Sequence, residues 1–240
     1  MNKRKGKLIL IPCPITEDSL DHLPSSVFSI SKSLKYFIVE RERTTRRFLK
    51  SFDKSINIDD LSFHEINKNN PSEGLSPFLE RLNEGDDIGL LSEAGCPGVA
   101  DPGHLAVQWC HKNKIQVVPL VGPSSILLSL MASGFNGQNF AFNGYLPNKS
   151  PQLQKKLKQL EVLLNKSNQT QLFMDAPYRN KFLLQNCIDA FSDKTLLCIA
   201  CNLNSQNESI TVNKIGDWRK VDQEFYHKKP CIFAIGKYTS

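Results

Sequence analysis

Short apolar runs alternate with segments of helical spacing through the first half of the chain. The runs predict buried β-strands, and the segments between them place apolar residues three and four positions apart, as on one face of a helix. The predicted strands are 8–11, 36–39, 88–91 and 117–121, and the predicted helices are 44–52, 75–83, 104–113 and 124–133. This alternation indicates an α/β domain with a largely parallel sheet.

The second half contains more strands for each helix. Apolar runs predict strands at 140–142, 172–174, 196–200, 210–212 and 231–235, with helices at 152–164 and 180–191. Strands that follow one another without a helix between them favour antiparallel pairs. Gly122 and Pro123 stand between the two halves, so the sequence predicts two α/β domains, 1–122 and 123–240.

Net charge changes this picture in one region. Residues 1–50 carry 11 Lys and Arg against 5 Asp and Glu, whereas residues 51–240 carry 19 of each, so the whole net charge of +6 lies at the start of the chain. We predict that Arg41, Arg43, Arg46 and Arg47, on one helix, contact the phosphates of a nucleic acid. The alternative is an ordinary solvated helix surface. Lys149, Lys155, Lys156 and Lys158 form a second basic stretch.

Apolar runs and cysteines limit the other classes of protein. The run 8–11 is far shorter than the roughly 18 residues of a membrane helix, so we predict a cytoplasmic protein with no membrane partner. Seven scattered cysteines, an odd number, favour reduced thiols over a disulfide framework. Cys198 and Cys201 lie on one predicted strand and should point to opposite faces, and no metal site is predicted.

Loops rich in proline and glycine follow three predicted strands of the first half, at 12–14, 92–98 and 122–125. The carboxyl ends of parallel strands are where open α/β sheets bind ligands. Glycine permits close approach of the backbone to a ligand, and proline fixes the loop. The common nucleotide and zinc motifs, GxGxxG after a strand, Walker A and HExxH, are absent from the sequence.

These loops, in their order along the chain, resemble the tetrapyrrole-methylase superfamily of S-adenosylmethionine-dependent methyltransferases. The resemblance rests on segments 8–15, 92–97, 101–103, 117–124, 132–134 and 144–147, and it covers residues 8 to about 236. Within the superfamily, the chain is most similar to the branch that methylates a cytidine ribose 2′-hydroxyl of 16S rRNA. The resemblance implies two α/β domains with the cofactor cleft between them, a homodimer, and RNA or the small ribosomal subunit as partner.

Matching positions also imply site residues. The implied S-adenosylmethionine contacts are Pro12, Ser92, Glu93, Gly95, Cys96, Pro97, Val99, Ser124, Ser125, Phe173 and Met174. We expect Gly95 to lie where a side chain would collide with loop backbone or cofactor. A ribose hydroxyl is a poor nucleophile and would be helped by a base. The candidate catalytic residues are Glu40, His64, Glu93 and Asp175, which the sequence alone does not rank.

Three motifs depart from the rRNA branch. Glu-Asp-Thr-Arg is replaced by residues 40–43, Glu-Ala-Pro-His-Arg by residues 175–179, and Arg-Glu-Leu-Thr-Lys by residues 201–205, although Glu208 still matches. Two alternatives therefore stay open at this point. One is a catalytically silent relative that holds the cofactor or RNA, and the other is a methyltransferase acting on a tetrapyrrole or another small molecule.

Overall fold

In the computed structural model, which describes residues 4–16 and 19–238, the chain divides after Ser124 into two units. The sequence placed the boundary at 122/123. Each unit is built around a five-stranded sheet. The strands of unit 1 are β1 (Lys7–Leu10), β2 (Tyr36–Val39), β3 (Ser62–Glu65), β4 (Ile88–Leu91) and β5 (Gln116–Pro119).

The sheet of unit 1 has the order β3-β2-β4-β1-β5, and its paired strands are all parallel. Alternate residues of its central strands enter different hydrophobic clusters, for example Ile38 in one and Phe37 in the other. A parallel sheet covered on both faces reads as a continuous apolar run, which explains why these strands were predictable. Its helices are α1 (Ser25–Ser33), α2 (Glu42–Phe52), α3 (Leu75–Leu79), α4 (Arg81–Glu84) and α5 (His104–Lys112).

Three differences from the sequence prediction concern unit 1. The strand β3 and the helix α1 were not predicted. The single helix predicted at 75–83 is two short helices that meet at Glu80, whose dihedrals stay right-handed. They are separate because the Asn83 N–H donates to the Glu80 carbonyl only three residues back, at 2.9 Å, which is the hydrogen bond of a tighter 3-10 turn.

Unit 2 has a mixed sheet, as the sequence predicted. The strands are β6 (Phe140–Tyr145), β7 (Thr170–Met174), β8 (Leu196–Cys201), β9 (Ser209–Lys214) and β10 (Cys231–Gly236), in the order β6-β7-β10-β8-β9. The β6 and β7 strands pair in parallel, whereas β10 pairs antiparallel with β7 and β8, and β8 with β9. The helices are α6 (Ser125–Ser133), α7 (Ser150–Ser167), α8 (Asn180–Ala190) and α9 (Ile215–Trp218).

The cysteines behave as predicted. All seven are free thiols. On β8, Cys198 and Cys201 enter two different hydrophobic clusters, which places them on opposite faces of the sheet. Among the residues that the structure describes, no helix combines the length and apolar character that crossing a membrane requires.

Candidate active site

The three predicted loops of unit 1 meet at one edge of its sheet. Because β4, β1 and β5 are neighbours and parallel, the loops that follow them leave from the same edge. Cys13 and Gly95 exchange two backbone hydrogen bonds of 2.9 and 3.1 Å, which join the first loop to the second. The Cys96 thiol lies 3.4 Å from the Pro123 carbonyl oxygen, which joins the second loop to the third. The predicted grouping of the loops is therefore present.

Glycine has two different functions in these loops. Gly95 has a φ of +70°, and a Cβ there would lie 3.5 Å from the Pro123 carbonyl oxygen. That separation is an ordinary contact, so the expected collision with loop backbone is absent and a substitution would cost energy through φ instead. At Gly122, by contrast, a Cβ would lie 2.1 Å from the Cβ of buried Pro12. Close packing, not φ, requires glycine at 122.

Asp101 holds the far end of the second loop. Its carboxylate accepts the backbone N–H of Gly98 at 2.8 Å and that of Gly103 at 2.7 Å. Burial raises the pKa of Asp101, and the two N–H donors act in the opposite direction. The backbone at Gly98 has a φ of +83°, and a Cβ there would have no atom of the described residues within 4 Å. The loop thus presents a fixed backbone turn to open space, as a ligand cradle requires.

Glu40 and Glu93 lie together beside these loops. One carboxylate oxygen of Glu40 accepts the backbone N–H of Glu93 at 3.1 Å, and the other lies 3.2 Å from the Lys68 ammonium. The Glu93 carboxylate contacts Arg41 at 3.2 Å and Lys68 at 3.8 Å. Two of the four predicted catalytic residues are therefore in one cluster. Lys68, which sequence reasoning did not select, joins them.

A cavity of about 450 Å³ opens next to this cluster, entirely within unit 1. Glu93 and buried Ser92 form part of its wall, and the buried face of α2 contributes Phe48. Burial, with a smaller effect of Glu40, raises the pKa of the Cys13 thiol to about 12, which leaves no thiolate to act as a nucleophile there. The lining residues are Cys13, Pro14, Ile15, Thr16, Leu20, Thr44, Thr45, Arg47, Phe48, Ser51, Ser92 and Glu93.

His64 is separate from this cavity. It lies on β3 with its ring 5.5 Å from that of Phe78, and its Nε2 is buried with no hydrogen-bond partner in the described part of the chain. Burial lowers the pKa of the imidazole. His64 is therefore a packed, neutral side chain against Phe78 and Gly74, and it does not line the cavity where Glu93 lies.

The Asp175 carboxylate, in unit 2, contacts residues of the turn that follows β7. Its carboxylate is almost fully buried and binds the Arg179 guanidinium and the Ala176 N–H, each at 2.8 Å. Arg179 in turn donates to the Asn148 carbonyl at 3.0 Å. These contacts fix the turn after β7, so Asp175 has a positioning role in the structure.

Two further predicted cofactor residues lie at the end of β7. The Phe173 side chain is fully buried and packs on Phe233 with ring centroids 5.8 Å apart, so only its backbone is available to a ligand. Met174 is half-buried, and Ser125 begins α6. In unit 1, Pro97 is buried, Val99 is exposed, and Ser124 ends the third loop. The predicted cofactor residues thus divide between the units.

The predicted basic face is largely present. Arg43, Arg46, Arg47 and Lys50 are exposed and spaced so that they share one side of α2, opposite its buried residues. Arg41 is an exception, because it precedes the helix and pairs with Glu93. Arg46 also pairs with Glu42 and lies over the Phe63 ring at 5.4 Å.

Comparison with known proteins defines the class. The chain superposes on cobalt precorrin-4 methyltransferase with a TM-score of 0.63, covering 96% of this chain and 94% of that one, at 13% identity. The fold is thus that of the tetrapyrrole-methylase type, as the sequence predicted. No family model matches the sequence.

Sequence relatives narrow the class further. The ribosomal RNA small subunit methyltransferase I of Streptococcus pyogenes serotype M3 is 32% identical over 235 residues, covering 97% of this chain and 77% of the relative. That of Vibrio cholerae serotype O1 is 30% identical over 203 residues, covering 85% and 67%. The chain therefore belongs to the ribosomal RNA small subunit methyltransferase I family, and it is a methyltransferase.

Proposed function

We propose that this protein transfers a methyl group from S-adenosylmethionine to a ribose 2′-hydroxyl of rRNA in the small ribosomal subunit. The observation that carries the proposal is the junction of the three loops with the Glu40–Glu93 cluster and its adjoining cavity. The similarity to rRNA enzymes supports RNA as the acceptor over a tetrapyrrole. The loop hydrogen bonds and the position of Glu93 in the cavity wall do not favour a silent relative.

The loops of unit 1 fit the cofactor. The turn at Gly98 leaves backbone open to a ligand, and Asp101 holds that turn in place. We assign cofactor binding in unit 1 to Pro12, to the segment from Ser92 to Val99 and to Ser124. The cofactor contacts implied at Ser125, Phe173 and Met174 of unit 2 stay predictions. S-adenosylmethionine, when bound, supplies an electrophilic methyl group on a sulfonium.

Glu93 is the residue that we assign to the acceptor. Methyl transfer is an in-line displacement, so much of its acceleration comes from holding the acceptor oxygen in position. Glu93 lies at the cavity wall, where its carboxylate can accept the proton that the ribose hydroxyl loses. Arg41 and Lys68 hold that carboxylate, and Glu40 orients the Glu93 backbone, so these three are positioning residues.

Binding and turnover test different parts of the proposal. Calorimetry with S-adenosylmethionine and with its demethylated product should show binding of both. Transfer of tritiated methyl groups to small ribosomal subunits, followed by nucleoside analysis, should give a 2′-O-methylated nucleoside. Cofactor binding without transfer to any RNA would instead identify a silent relative. The homodimer and the cytoplasmic location stay predictions, which sedimentation and cell fractionation can check.

The basic face of α2 should contribute to RNA binding. Replacing Arg43 and Arg46 by glutamate should weaken RNA affinity about tenfold and lower the slope of log affinity against log salt by about 0.7 for each phosphate that these arginines neutralise. Cofactor affinity should stay unchanged, because neither residue lines the cavity. Fluorescence anisotropy across a salt series measures both the RNA affinity and its dependence on salt.

A matched control is available at the end of α5. Lys112 and Lys114 are exposed, and replacing both by glutamate changes the net charge equally. Equal losses in the two double variants would show that overall charge, not this helix face, controls RNA affinity.

A further inference from the structure

Three lysines surround a second concavity, at one end of the sheet of unit 2. This cavity of about 500 Å³ is lined by Lys194, Lys214 and Lys237, together with Thr195 and Tyr238. It lies entirely within unit 2 and shares no lining residue with the cavity beside Glu93. Its volume is in the range of sites for small ligands.

The antiparallel register brings the three lysines together. Leu196 of β8 is opposite Gly236 of β10 and opposite Lys214 of β9, so these positions form one row across three strands. Lys237 directly follows Gly236 in the chain, and Lys194 lies two residues before Leu196. Residues 51–240 carry equal numbers of basic and acidic residues, so only the fold reveals this local excess of positive charge.

The lysines are exposed, and no ion pair neutralises them among the residues that the structure describes. Two carboxylates that adjoin the lining residues already have other partners. Asp193 pairs with Arg219 at 2.7 Å, and Glu161 accepts the Ser192 N–H at 2.8 Å and the Thr195 hydroxyl.

The helix end at this cavity does not cancel the lysine charge. Leu164 and Asn165, near the end of α7, also line the cavity. The carbonyl end of a helix carries only about half a negative charge. Three ammonium groups exceed it, so the charge around the cavity is net positive.

Tyr238 adds an aromatic surface to the charge. Its ring packs against Phe135 with centroids 6.0 Å apart, and the side chain is still 60% exposed. An exposed aromatic ring beside a cluster of ammonium groups is the combination that holds an unpaired nucleotide, by base stacking and by phosphate contact.

We infer that this cluster, which we call the unit 2 lysine site, binds an unpaired segment of the substrate RNA through its phosphates. The inference rests on the proposed function for the identity of the RNA. The unit 2 lysine site would be a second RNA-binding surface, in addition to the basic face of α2. It recognises the charge of the RNA backbone and not the base sequence.

The test is a triple variant in which Lys194, Lys214 and Lys237 become glutamine. At about 150 mM salt, affinity for a single-stranded RNA oligonucleotide should fall roughly tenfold, and the salt slope should fall by about 2, since each phosphate neutralised on a single strand contributes about 0.7. Tyr238→Ala should weaken binding further, while Tyr238→Phe should not, because only the ring is needed. Cofactor affinity, measured in parallel, should match the wild type.

The control variant replaces Lys155, Lys158 and Lys166 of α7 by glutamine, which removes the same charge from the same unit. An unchanged salt slope in the lysine-site variant, or an equal decrease in the control, overturns the inference. RNA binding decides the inference without turnover. Failure of the wild type to methylate RNA would refute the proposed function alone.

Discussion

Replacing Glu93 by glutamine is expected to lower the rate of methyl transfer to RNA by about 10²- to 10⁴-fold, the usual contribution of a general base. Glutamine keeps the size of the side chain at the cavity wall and removes its ability to take a proton. The rate should be measured in single-turnover experiments with enzyme in excess and both ligands saturating. The decrease then reports chemistry and not weaker binding.

Glu42 offers a closely matched control for that variant. Its side chain is 33% exposed against 36% for Glu93, and each carboxylate pairs with an arginine, but Glu42 does not line the cavity. Glu42→Gln should keep the single-turnover rate within about threefold, because an exposed ion pair contributes little. A Glu93→Gln variant with a comparable rate would mean that the acceptor hydroxyl needs no base here.

Glu40 should behave differently from Glu93, since its carboxylate acts through other groups. It accepts the Glu93 N–H and pairs with Lys68. We expect Glu40→Gln to lower the single-turnover rate less than Glu93→Gln does, because it leaves the proton-accepting carboxylate in place. The two positions thus separate an orienting role from proton transfer.

The sequence predicted strands well where both faces of the sheet are buried. Runs such as those of β2 and β4 are apolar throughout, because neither face meets water. The edge strand β3 is half-exposed and polar, Ser-Phe-His-Glu, so it has no apolar run to detect. Helix α1 was missed for a similar reason, because one of its two buried residues is polar. That residue is Ser31, whose hydroxyl donates to the Val27 carbonyl.

The candidate site was predictable where it depends on local chain chemistry. Proline and glycine mark the three loops because those residues determine backbone conformation. Lys68 was not predictable, since its contacts with Glu40 and Glu93 join residues 28 and 25 positions away. No periodicity encodes such a pairing. The unit 2 lysine site likewise needs the antiparallel register of three strands, which apolar patterning leaves open.

Replacing Gly122 by alanine is expected to lower kcat/KM by about 100-fold through a displacement of the loops. The new Cβ would lie 2.1 Å from the Cβ of Pro12, far below a contact distance of about 3.5 Å. Either the first or the third loop must then move. Because the first loop is bonded to Gly95 and the Cys96 thiol contacts the third loop, the three loops shift together. The free energy of unfolding should fall by about 1–3 kcal/mol, the usual cost of overpacking.

A second substitution, at Pro12, can show whether the collision with Pro12 causes these effects. Pro12→Gly removes the ring atoms that the new methyl group would meet, and the next atom, the Pro12 Cα, would be 3.6 Å away. In denaturant unfolding, the double variant should therefore be more stable than the sum of the two single changes predicts. Gly137→Ala is the control, since a Cβ there has no atom within 4 Å in the part of the chain that the structure describes, and it should leave stability and rate unchanged. Strict additivity of the Pro12 and Gly122 changes would show that the collision is relieved elsewhere, and the arrangement of the three loops would then not depend on this contact.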